Sequence, residues 1–296
     1  MRPFISTTPS AITSSSPAGA SRASSRSAPP TCTSSRGAPA APETRASPID
    51  RPHAAGSTIR PLCHTPPVHP TILLFDIDGT LIDTGGAGRR SMDRAFACVT
   101  GRADACAHFS FDGMTDRAIV RRGLDAVGAS VDDTAIDRVL AAYLEALVAE
   151  VAASTGYITH PGINRVLDHA ADRPHIALGL GTGNVRDGAR IKLDRASLFD
   201  RFSFGGFGCD HEDRAALLDA GARRGAERLG KDRDDCRVVI IGDTPKDIAA
   251  ARAIGAESLA VATGRFVPEA LREAGATFVC DNLLSPGAFA MLFPDA

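Results

Sequence analysis

Two aspartates spaced i and i+2 are the first residues in this chain that could do chemistry together. The apolar segment Thr71-Ile-Leu-Leu-Phe75 runs directly into Asp76-Ile-Asp78-Gly79-Thr80. Just past a strand end, two acids at that spacing can point into one space, and Gly79 lets the backbone turn sharply there. Like charges so close repel strongly at low effective dielectric. A bound cation relieves that repulsion, and a hard ion such as Mg²⁺ suits carboxylate oxygens. The competing account is a solvated turn, because Asp and Gly are common turn residues. The apolar run ending on Asp76 weighs against it.

Two further clusters have the same form. Gly181-Thr182-Gly183-Asn184 follows an apolar run and opens a helix-like segment. Backbone N–H groups at a helix N-terminus make an anion site, and Thr182 adds a hydroxyl donor. An ordinary N-cap at Asn184 is the alternative. Lys192 lies two turns further on and could reach back to a phosphoryl oxygen; taken alone, it reads better as a surface lysine. In Gly242-Asp243-Thr244-Pro245-Lys246-Asp247, Thr244 fits an N-cap, Pro245 the first helical position, and Asp247 the third. Asp243 caps nothing and reads as a metal ligand. Asp247 is balanced between a cap and a supporting role at the site.

These clusters need elements to hold them. Strands are predicted at 71–75, 175–180, 202–207, 237–241, 258–262 and 277–280, from short apolar runs bounded by small or polar residues. Helices are predicted at 86–99, 132–152, 163–171, from 184 to about 196, at 213–229, and from 244 to about 254. The clearest is 132–152, where Ile136, Val139, Leu140, Tyr143, Leu144, Leu147, Val148 and Val151 form one apolar face. From residue 175 onward strand and helix alternate, which implies a parallel sheet covered on both faces. Residues 84–160 break the alternation, being helical with no strand signal, and Phe111–Asp116 interrupts the helices as a possible specificity loop. In open parallel sheets, ligands bind at the carboxyl ends of strands, where all three clusters fall.

The bulk composition excludes several classes. The 296 residues carry a net charge of −2, but unevenly. Residues 1–70 hold 13 of the 19 prolines, no Lys, and seven Arg against two acids, or +5, which leaves −2 − 5 = −7 for the other 226. A Pro/Ser-rich stretch with few apolar side chains cannot offset its ordering entropy by burial. Residues 1–70 are therefore read as a disordered extension, a transit peptide, or sequence upstream of the true translation start, with Val68 as an alternative start. There is no apolar run long enough to span a membrane. The seven scattered cysteines form no CxxC pair, which argues against a disulfide framework or zinc site and fits a reducing, cytoplasmic setting. The ordered portion has no basic stripe, so no nucleic-acid or membrane partner is expected. A monomer or homodimer is expected.

Together, and in this order, the three clusters resemble those of the haloacid dehalogenase superfamily, specifically its Mg²⁺-dependent phosphatases. The resemblance covers about residues 71–290. Asp76-Ile-Asp78-Gly79-Thr80-Leu81 is similar to the first motif, Thr182 to the second, and Gly242-Asp243-xxx-Asp247 to the fourth. It implies an α/β fold: a Rossmann-like parallel-sheet core of residues 71–83 and 161–296, with an inserted all-helical cap at 84–160. It further implies Asp76 as nucleophile and Asp78 as general acid and base. Mg²⁺ would be held by the Asp76 carboxylate, the Asp78 backbone carbonyl and Asp243. Thr80, Thr182, Gly183, Asn184 and Lys192 would bind substrate, Thr182 and Lys192 acting on the phosphoryl oxygens.

The family's phosphate-binding Lys usually lies 20–30 residues before the fourth motif, and here that window offers Arg214 but no suitable Lys. Some branches place it where Lys192 stands, so Lys192 is expected in the role with Arg214 in reserve. The second Asp argues against a dehalogenase. Phosphonoacetaldehyde hydrolases use a cap lysine, and the chain's three lysines all lie outside 84–160. The implied substrate is a small phosphate monoester, phosphoglycolate-like. The alternatives are a non-catalytic binding or regulatory protein on the same scaffold, or a sugar phosphomutase.

Overall fold

The computed structural model describes residues 69–294. Apart from His69 and Pro70, the expected extension at 1–70 lies outside them. The strands and α-helices, in chain order, are β1 (Thr71–Phe75), β2 (Ile82–Thr84), α1 (Ala87–Thr100), α2 (Asp116–Ala126), α3 (Asp133–Ala153), β3 (Tyr157–Thr159), α4 (Ile163–Ala171), β4 (Ile176–Thr182), α5 (Arg186–Asp194), β5 (Phe204–Phe207), α6 (Arg214–Leu229), β6 (Arg237–Gly242), α7 (Pro245–Ala253), β7 (Glu257–Val261), α8 (Pro268–Glu273), β8 (Phe278–Cys280) and α9 (Pro286–Leu292).

Six of these strands form one parallel sheet in the order β5-β4-β1-β6-β7-β8. The central strand, β1, is buried along its whole length. Its side chains alternate between the two faces, as the period of two requires. Leu73 and Phe75 pack with Ile163, Val166 and Leu167 of α4 and Ala189 and Leu193 of α5. Ile72 and Leu74 pack on the other face with Leu217, Leu218 and Ala222 of α6 and Ala250 and Ala251 of α7. Each fully buried Leu, Ile or Phe contributes roughly 1.5–3 kcal/mol relative to exposure, so this continuous run fixes β1 at the centre. The α/β reading with a parallel core therefore holds.

Strand order explains where a site can form. From β1 the chain crosses to β4 and β5 on one side, then returns to β6, β7 and β8 on the other. β1 is thus the point of reversal, and a crevice opens beyond its carboxyl end. Phe75 is level with Leu180 of β4 and Ile241 of β6. The three polar clusters therefore emerge side by side.

Helices α1, α2 and α3 share a separate apolar cluster built on Phe96, Val120, Leu124, Ile136, Val139 and Tyr143. One expectation for residues 84–160 is corrected here: the segment is not all helix. β2 and β3 form an antiparallel pair at its two ends, with Ile82 opposite Thr159 and Thr84 opposite Tyr157. Strands of three residues are too short to show alternation in sequence, and their partners lie some 75 residues apart, so no local signal marks them. Among the described residues, no helix is long and apolar enough to cross a membrane.

Candidate active site

Asp76 is the first residue past β1, and its N–H still donates to the Ile241 carbonyl at 2.8 Å. That bond keeps the backbone on the sheet while the side chain leaves it, 6% exposed. The Asp76 carboxylate accepts from Arg214 Nη2 at 2.9 Å. Arg214 begins α6, whose N-cap Asp213 accepts from the Ala216 N–H. Its guanidinium also forks onto Asp247, with Nε at 2.8 Å from Oδ1 and Nη2 closer still. Asp247 in turn closes a capping box with Thr244 at the start of α7, with Pro245 in the first helical position. The predicted cap residues therefore do cap, and Asp247 also aims Arg214. Sequence balanced Asp247 between two roles, and it fills both.

Asp78 faces a different cation. Its Oδ2 accepts from Lys192 Nζ at 2.7 Å and from Asn184 Nδ2 at 2.9 Å. Lys192 Nζ also donates to Asn184 Oδ1 at 2.6 Å. Lys192 is 4% exposed and lies on the buried face of α5, not at the surface. Asn184 does not cap α5; Val185 occupies that position, and the Asn184 side chain is drawn into the site. Thr182, fully buried, accepts from the Asn184 amide side chain at 2.9 Å and its backbone N–H at 3.3 Å, which leaves its own proton to donate elsewhere. Thr80 lies beneath and reaches Asp243 Oδ1 at 3.5 Å.

Asp243 is the least compensated acid. It is 5% exposed, and its carboxyl is pushed up to about 9, first by burial and then by Asp247 and Asp76. Burial likewise lifts Asp76 to about 6, against the opposing pull of Arg214. Carboxylate oxygens of Asp76, Asp243 and Asp247 all lie within 4.8 Å of one another. Gly79, with φ of +78°, and Gly264 press backbone against the Asp243 carboxylate, where any side chain would collide. Three buried acids around one guanidinium leave negative charge in excess, and the donors are hard oxygens. Such a set fits a small divalent cation such as Mg²⁺. Asp247 is already engaged by Arg214 and Thr244, so Asp76 and Asp243 are the side chains with oxygen to offer.

Asp76, Asp78, Gly183, Asn184, Lys192, Arg214 and Asp243 border one cavity of about 790 Å³, and Thr80, Thr182 and Asp247 are hydrogen-bonded to them from outside its lining. The sheet supplies its floor, with Asp76, Asp78, Asp243, Gly183, Asn184 and the two cations. The helical insertion supplies its roof, with Arg89, Met92, Phe109, Phe111, Ile119 and Tyr143. The structure thus brings every predicted residue to one place, but divides the cations: Arg214 sits on Asp76 and Lys192 on Asp78. Two roof residues had no role of their own in the sequence reading, which placed Asp116 at the end of the Phe111–Asp116 loop, whereas it is the first residue of α2. Asp116, 6% exposed, accepts from the Val185 N–H at 2.8 Å, and burial lifts its carboxyl to about 6. Tyr143 is 1% exposed and reads in sequence only as part of an apolar helix face. No spacing signal links either residue to the strand ends, because the link is made by packing α2 and α3 over the sheet.

Comparison with known proteins agrees with this architecture. The family model described as haloacid dehalogenase-like hydrolase matches residues 70–255. No curated protein sequence matches the chain. Among solved structures, CbbY from Rhodobacter sphaeroides in complex with phosphate is similar at 19% identity and a TM-score of 0.57, covering 76% of this chain and 99% of that one. A hydrolase from Pseudomonas syringae is similar at 22% identity and a TM-score of 0.54, covering 72% and 94%. A predicted phosphoglycolate phosphatase from Haemophilus somnus 129pt is similar at 14% identity and a TM-score of 0.55, covering 76% and 98%. The structural likeness carries the fold, and the family match spans more than half the sequence: the chain belongs to the haloacid dehalogenase-like hydrolases.

Proposed function

We propose that this chain hydrolyses a small phosphate monoester in a Mg²⁺-dependent reaction that passes through an aspartyl-phosphate on Asp76. The observation that carries the reading is the pairing of two acids with two buried cations on the floor of one cavity. Asp76 is held by Arg214 and Asp78 by Lys192. An acid beside a guanidinium is kept ionised and aimed, as a nucleophile requires. An acid two residues on, 45% exposed at its side chain and facing the cavity, is placed to exchange protons. In this reading residues 84–160 are the cap, and residues 71–83 and 161–296 are the core.

An Asp76 carboxylate oxygen attacks phosphorus, the P–O bond to the leaving alcohol breaks, and the Asp78 proton moves to the departing oxygen. Asp78, now a carboxylate, takes a proton from water. The water oxygen attacks phosphorus, the bond to Asp76 breaks, and inorganic phosphate leaves. Arg214, the Thr182 hydroxyl and the N–H groups of Gly183 and Asn184 are the donors for the phosphoryl oxygens as charge shifts. Mg²⁺ would be held by Asp76, Asp243 and the Asp78 carbonyl, and when bound would screen repulsion between nucleophile and dianion.

The substrate class rests on likeness and on the site together. One neighbouring structure holds phosphate and another is named as a predicted phosphoglycolate phosphatase. A phosphoglycolate-like substrate is the first to try, within a panel that includes sugar phosphates and nucleotides. The direct test is p-nitrophenyl phosphate hydrolysis with Mg²⁺ and with EDTA. Activity should require Mg²⁺ and disappear in Asp76→Asn; hydrolysis that survives that substitution would overturn the reading.

A further inference from the structure

Lys192 stands against the wrong aspartate for a phosphate-binding cation. Its ammonium has three N–H groups. One goes to Asp78 Oδ2 and one to Asn184 Oδ1. The Tyr143 hydroxyl and the Asp116 carboxylate face the same ammonium from the roof. One N–H is left over, and Arg214 already occupies the position beside Asp76.

Asp78 needs such a neighbour. It lies on a turn beyond β1, with its side chain nearly half exposed, so its carboxylate would otherwise sample several rotamers. Lys192 and Asn184 both donate to Oδ2, and Lys192 also donates to Asn184. The three side chains therefore close a triangle that fixes the carboxylate plane. Both bonds converge on one oxygen, which leaves Oδ1 for a proton in transit. A buried ammonium holds this geometry firmly, because losing its partner would leave an unpaired charge inside the protein.

We propose that Lys192 is a positioning residue for Asp78: it holds that carboxylate, through Oδ2, in the orientation from which Oδ1 serves the leaving-group oxygen. The assignment rests on the phosphatase reading above and deepens it. Asp116 and Tyr143, from the helices above, line the same cavity as Lys192.

Leaving groups separate this role from phosphate binding. p-Nitrophenolate departs without a proton, whereas the alkoxide of β-glycerophosphate needs one. The expected result for Lys192→Met is a fall in kcat/KM of about 100-fold on β-glycerophosphate but only about 5-fold on p-nitrophenyl phosphate, within the usual range for general acid catalysis. Asp78→Asn should show the same bias. Adding Lys192→Met to Asp78→Asn should then cost about 2-fold more at most on β-glycerophosphate, as expected of residues that act as one unit. Lys192→Gln keeps a hydrogen-bond donor at similar length and should recover part of the β-glycerophosphate rate; it also serves if the Met variant does not fold, which thermal melts will show. Equal losses on both esters, together with a matching loss of inhibition by inorganic phosphate, would overturn the proposal and return Lys192 to the phosphoryl group. Failure of the wild-type chain on both esters with Mg²⁺ would instead remove the phosphatase reading itself.

Discussion

Arg214 is where the charges of the site meet. It compensates Asp76 and Asp247 at once, through a planar fork that a lysine cannot reproduce. Arg214→Met leaves both carboxylates buried without their cation, a change that typically costs about 3–5 kcal/mol. The expected outcome is a lower melting temperature together with loss of hydrolysis by more than about 100-fold, the scale of removing a key electrostatic donor. A variant that melts with the wild type would contradict the pairing. Asp116 predicts the opposite sign. Its carboxyl is lifted to about 6 by burial, so the folded chain binds a proton there between about pH 4 and 6 where the unfolded chain does not. That contribution is fully present below about pH 4 and lost as pH rises through about 6. Asp116→Asn cannot ionise and keeps an oxygen for the Val185 N–H. It should therefore melt higher than wild type at pH 8, by up to about 3 kcal/mol, and lose most of that gain by pH 4. Calorimetry at the two pH values checks it. In the sequence, Asp76 and Asp243 were legible because each ends an apolar run, and Asp78 because it lies two residues beyond Asp76. Asp116 was legible only as the end of a loop, because its bond to the Val185 N–H is made by packing α2 over the strand ends.

At the scale of elements, the site depends on two turns touching. The turn between β4 and α5 lies so close to the segment before α2 that a Cβ on Gly183 would meet the Met114 carbonyl oxygen. The Asp116 N–H then donates to the Gly183 carbonyl at 2.8 Å. Gly183→Ala should push α2 off the strand ends, at roughly 1–3 kcal/mol of stability as for other overpacked sites. KM should rise along with that loss, because the roof of the cavity moves; an unchanged KM and melting temperature would show that the contact yields freely. The long elements were readable: α3 from its apolar spacing, and β1, β4 and β6 from short buried runs ending in Gly or Asp. The pair β2–β3 was not, since three-residue strands are specified by each other rather than by local pattern. Asn184 was left between a cap and the anion site for a related reason. Its side chain had two local uses in sequence, and only the approach of Lys192 along α5 decides between them.

For the whole molecule, the uneven charge becomes a statement about where function lies. The residues placed at the site run from Asp76 to Asp247, and the cavity's lining ends at Arg265. The sheet's strands begin at Thr71, with the Arg237 N–H bonded to the Pro70 carbonyl. Among the described residues, every group proposed for the reaction lies in the −7 portion. Net charge and length alone had suggested a featureless protein; the division at about residue 70 was visible only once proline and arginine were counted by region. If the reading is right, a chain of residues 69–296 should fold and hydrolyse p-nitrophenyl phosphate with kcat/KM within about 2-fold of the full chain, a difference worth well under 1 kcal/mol. Its Mg²⁺ requirement should be unchanged, because both carboxylates proposed to hold the ion are retained. A loss of 10-fold or more in a truncated chain that melts like the full one would mean that residues before 69 contribute to the transition state. They would do so by reaching the cavity from outside the sheet, and the mechanism would need a donor from that segment.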